Sequence, residues 1–87
     1  MICNGKLYSA YIATKSGINP VAIRNEKTGK VVFSFVNEDR MFELRREVEQ
    51  MDNEDIKKEV DVCVYKYLTE LIEIENNKKV GVEINER

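Results

Sequence analysis

Histidine is absent from this sequence, proline occurs once and cysteine twice. Without histidine, the commonest general acid–base group and metal ligand is missing. Zinc sites of the usual kinds need more thiolates than Cys3 and Cys63 can supply. Catalysis would then rest on paired carboxylates or an activated cysteine, and no spacing in the chain points to either. Cys63 falls on an apolar helical stripe, where a thiol is inert. No enzyme and no cofactor are expected. Two cysteines this far apart read as reduced thiols rather than as the dense pairing of a small secreted scaffold. The longest apolar-dominated run, Val31 to Val36, is far short of the roughly 20 residues that cross a bilayer. The opening MICNGK has neither a basic nor an apolar leader region, so no signal peptide is expected. A cytoplasmic protein, or one acting in a host cytoplasm, is the expectation.

What is present suits one small domain over residues 1–87. Hydrophobic residues make up 43% and charged residues 34%, which is globular rather than disordered. Charge is unevenly placed. Residues 1–36 hold five cations against one acid, whereas residues 37–77 hold thirteen acids against six cations. A basic N-terminal part and an acidic helical part suggest opposite faces for opposite partners.

The stretch from Ile18 to Val36 organises the rest. It reads as a β-hairpin over residues 19–36, with Pro20 at the entrance, where a missing N–H costs least. Lys27-Thr28-Gly29 fits a three-residue loop that places Gly29 at positive φ. That loop sets Glu26 opposite Lys30, Arg24 opposite Val32, Ile23 opposite Phe33 and Val21 opposite Phe35. Because side chains alternate along a strand, Val21, Ile23, Val31, Phe33 and Phe35 would form the core face. Ala22, Arg24, Val32, Ser34 and Val36 would form the outer one. A four-residue loop would set Ile23 against Val32 and split the large apolar residues, so the shorter loop is the expectation.

Helices are expected around the hairpin. Lys6 to Ser16 places Leu7, Ala10, Tyr11 and Thr14 on one face, with Tyr8 and Ile12 beside it. Asn4 is placed to cap this helix and Gly17 to stop it, with Ile18 following as the hydrophobic contact. A second helix over about 38–51 starts at Asn37-Glu38-Asp39 and carries the stripe Met41, Leu44, Val48, Met51, widened by Phe42. A third over about 54–71 carries Ile56, Val60, Cys63, Val64, Tyr67, Leu68 and Leu71. Val60 to Tyr65 also alternates with period two, but the helical stripe is longer than a usual strand. For the end of the chain two readings stand. Either residues 72–84 form a second hairpin, or the helix runs to Asn76 and releases a strand at 80–84. The fold class is α+β, in the order α-β-β-α-α with that C-terminal strand or hairpin.

The run Tyr8-Ser9-Ala10-Tyr11-Ile12, then Gly17, then Val31-Val32-Phe33-Ser34-Phe35 and Met41-Phe42-Glu43-Leu44 resembles a family of short uncharacterised proteins. These come from phages and low-GC Gram-positive bacteria and are classed as a domain of unknown function. Their pattern is a helix closed by glycine, a strand reading V-F-x-F and an acid-capped helix. The resemblance covers about Leu7 to Val48, with Ile12 standing where the pattern has Leu. It implies a mobile-element origin and no catalytic activity.

Two binding functions are expected from different surfaces. One is a stoichiometric protein-binding module, a modulator or inhibitor of a host or defence protein. It would present the acidic side chains of Glu43, Glu47, Asp55, Glu59 and Asp61 where a partner otherwise meets phosphates. The alternative is a nucleic-acid binder using Lys15, Arg24, Lys27 and Lys30 around the hairpin turn. Val32, Val36, Val80, Val82 and Ile84 would be left without cover in a monomer, so a homodimer is expected through them. The tail strand would pair in cis along Val31 to Val36, or in trans with a second copy.

Overall fold

The computed structural model describes the backbone of residues 1–85 and the side chains of residues 1–77. It is an α+β domain whose described elements run β1 (Ile2–Cys3), α1 (Lys6–Ser16), β2 (Val21–Arg24), β3 (Val31–Ser34), α2 (Asp39–Glu49), α3 (Asn53–Glu59) and α4 (Val62–Asn85). The three strands form one antiparallel sheet in the order β1-β3-β2.

α1 is the centre of the packing. Ser9, Ala10, Tyr11, Ile12 and Ala13 are buried in succession, so the helix is covered all round rather than on the single face its spacing suggests. α2, α3, α4, β1 and β3 all touch it. The Ser9 hydroxyl lies inside this core and donates to the Gly5 carbonyl at 2.7 Å, which removes the penalty of burying it. The helix ends where expected. Gly17 takes φ 74°, and its N–H reaches the Ala13 carbonyl. Its start differs, because Gly5 rather than Asn4 is the cap residue and no side chain bonds the first turn.

The hairpin forms, but with the four-residue loop. Observed partners are Val21 with Ser34, Ala22 with Phe33, Ile23 with Val32 and Arg24 with Val31. The expected pairings of Ile23 with Phe33 and Glu26 with Lys30 are therefore corrected by one residue. The cause is Asn25. Its side-chain oxygen accepts the N–H groups of Lys27 at 2.9 Å and Thr28 at 3.3 Å. Its carbonyl accepts the Gly29 N–H at 2.7 Å, and its own N–H closes on Lys30 at 2.8 Å. An Asn that bonds the backbone two and three residues on draws Glu26 into the turn. Gly29 keeps the expected positive φ of 74°.

A one-residue slip turns a whole strand over. β3 faces as expected, with Phe33 and Phe35 buried, but β2 is reversed. Ala22 packs on the core while Val21 and Ile23 face outward, 66% and 43% exposed.

β1, which no periodicity announces, supplies the third strand. Ile2 pairs with Ser34 and Cys3 with Phe33, and Cys3 is buried. The Phe35 N–H continues this ladder to the Met1 carbonyl at 2.8 Å. Asn37, at the expected start of α2, accepts with its side chain from the Met1 amino group at 2.6 Å. The edge of β3 that a tail strand would have used is thus already paired.

α2 matches its expected stripe, with Met41, Leu44 and Val48 buried. The expected third helix, 54–71, is two helices. Val60 is extended (φ −79°, ψ 132°), and Asp61 restarts the chain as α4. The Asp61 side chain accepts the Cys63 N–H at 2.8 Å, its carbonyl accepts from Tyr65, and its own N–H donates to Thr14 Oγ1 at 3.1 Å. Ile56 and Leu68 are fully buried on either side of this break, with Val60, Val64, Leu71 and Ile72 packed beside them. The restart rotates Cys63 off the apolar stripe and leaves it exposed.

Neither reading of the tail holds. α4 runs without interruption from Val62 to Asn85, so residues 72–84 are neither a second hairpin nor a helix end followed by a strand. Asn is only a weak helix breaker, and the Asn76 side chain is engaged by Arg24 rather than closing the helix. Val80, Val82 and Ile84 lie outside the residues whose side chains are described.

Candidate functional site

The sheet has two unlike faces. Inward lie Cys3, Ala22, Arg24, Val31 and Phe33; outward lie Ile2, Val21, Ile23, Val32 and Ser34, by the register of the three strands. None of the five outward positions carries a charge. Ile2 is 48% exposed and Val32 is half-buried. Val36, just past the end of β3, is 49% exposed. Val36 is therefore open to solvent and Val32 partly so, beside Ile2, Val21 and Ile23.

The acidic candidates are dispersed by their tasks. On α1, Tyr11 is buried, and its hydroxyl donates to Glu47 Oε1 on α2 at 2.6 Å. Lys15, one turn on, stands over the Tyr11 ring at 5.7 Å and pairs with Glu59 of α3 at 3.5 Å. Burial, the bond to Glu47, and the charges of Glu47 and Glu59 push the Tyr11 phenol up to about 12. Glu47 and Glu59 thus tie three helices together, and Asp61 caps the fourth. Glu43 and Asp55 are exposed, and their side chains make no ion pair or hydrogen bond among the described residues.

The basic candidates are likewise divided. Arg24 lies half-buried on the inner side of the hairpin. It donates to the Gly29 carbonyl at 2.9 Å, to the Glu75 carbonyl at 2.9 Å and to Asn76 Oδ1 at 2.8 Å, which clamps the hairpin to α4. Lys15 is held by Glu59. Lys27 and Lys30 alone of the four stand exposed at the turn. The signal that sequence reasoning lacked was the Asn25 turn, which moves Val21 and Ile23 to the outside and Arg24 to the inside.

An open cavity of about 600 Å³ lies over the first turn of α1, between β1 and α2. Among the described residues no group of three or more Cys, Asp or Glu side chains could hold a metal ion, and no helix is long and apolar enough to cross a membrane. No family model matches the chain, and neither a curated protein nor a solved structure is significantly similar to it.

Proposed function

We propose that this chain is a small, non-enzymatic protein-binding module whose contact surface is the outer face of the sheet. One observation supports the reading: Ile2, Val21, Ile23 and Val36 are each between 43% and 66% exposed on or beside a sheet face with no charged position. Covering four half-exposed aliphatic side chains is worth on the order of 3–5 kcal/mol. An uncharged apolar centre is also what distinguishes the core of a protein interface from ordinary surface. Of the five acidic candidates, proposed from the charge layout as the means of inhibiting a host or defence protein, only Glu43 and Asp55 have side chains without a partner among the described residues. A nucleic-acid reading has less support, because two of its four cations hold the fold together.

The test is affinity capture from lysate of the source cells with three baits: the native chain, a Val21→Lys/Ile23→Lys variant and a Glu43→Lys/Asp55→Lys variant. The sheet-face reading expects a partner retained by the native and acid-reversed baits and lost from the sheet-face variant. Retention by the sheet-face variant with loss from the acid-reversed one would move the contact to α2 and α3.

A further inference from the structure

We draw no further inference here: the strongest candidate, the open cavity of about 600 Å³ over the first turn of α1, rests on a helix N-terminus whose neighbouring cations are already engaged, Lys6 over the Tyr65 ring and Arg45 with Glu49 and the Ile2 carbonyl, and no unpartnered buried polar side chain among the described residues points to a ligand.

Discussion

The Tyr11 hydroxyl and the Glu47 carboxylate meet at 2.6 Å across the α1–α2 contact, and the burial of this phenol, together with the bond, makes the stability of the fold sensitive to alkali. A buried phenol pushed up to about 12 holds its proton where an unfolded tyrosine, near 10, has lost it. The unfolded state then binds fewer protons, so stability is full below pH 10 and falls as pH rises from 10 to 12. The loss approaches about 2–3 kcal/mol over that window. Tyr11→Phe should cost about 1 kcal/mol at neutral pH and remove this alkaline component. Urea unfolding of both proteins at pH 8 and pH 11 measures it; parallel alkaline losses in the two would contradict the assignment.

Glu43 and Glu47 sit one helical turn apart on α2, yet they should respond differently to charge reversal. Glu43→Lys should change stability by less than about 0.5 kcal/mol, since its side chain has no partner among the described residues. Glu47→Lys deprives the buried phenol of its acceptor and sets a cation near Lys15, so a loss of about 1–3 kcal/mol is expected. Equal midpoints in chemical denaturation would show that the Tyr11 bond carries no weight.

Gly29 has open space where a Cβ would stand, so a substitution there meets backbone strain and nothing else. At φ 74°, Gly29→Val should destabilise by about 1–2 kcal/mol without a change in fold. An unchanged thermal midpoint would mean that the turn does not use the left-handed conformation.

Asp61→Ala removes the side-chain bond to the Cys63 N–H that caps α4. A loss of about 1 kcal/mol is expected, together with faster amide exchange at Cys63. Slower exchange there would instead indicate that α3 and α4 had fused into the single helix that the apolar stripe suggests.

These effects mark where local signals carried the fold and where they stopped. Gly17 and the spacing of Lys6 to Ser16 place α1, because a glycine stop and a helical period act over a few residues. β3 faces as the large residues Phe33 and Phe35 dictate. β2 is inverted because one side chain, Asn25, decides between loops of three and four residues, and no residue of β2 is bulky enough to overrule it. β1 is too short to show a period, and its place is set by pairing with β3, a long-range event. The break at Asp61 is hidden by an apolar stripe that continues through it, and part of what holds it is long-range, the bond to Thr14. Of the candidate surface, Val32 and Val36 were legible because β3 was; Ile2, Val21 and Ile23 were not, because each depends on a register.

The outward placement of Val21 and Ile23 is what the proposed surface rests on, and cross-strand proton contacts test it most directly. With Asn25 hydrogen-bonded to Lys30, the pairs Ala22–Phe33 and Arg24–Val31 are the non-hydrogen-bonded ones, where α-protons approach closest. Two-dimensional NMR of the native chain should show α-proton contacts within those two pairs. A contact between Ile23 and Phe33 in their place would restore the three-residue loop, turn Val21 and Ile23 into the core, and contradict the account.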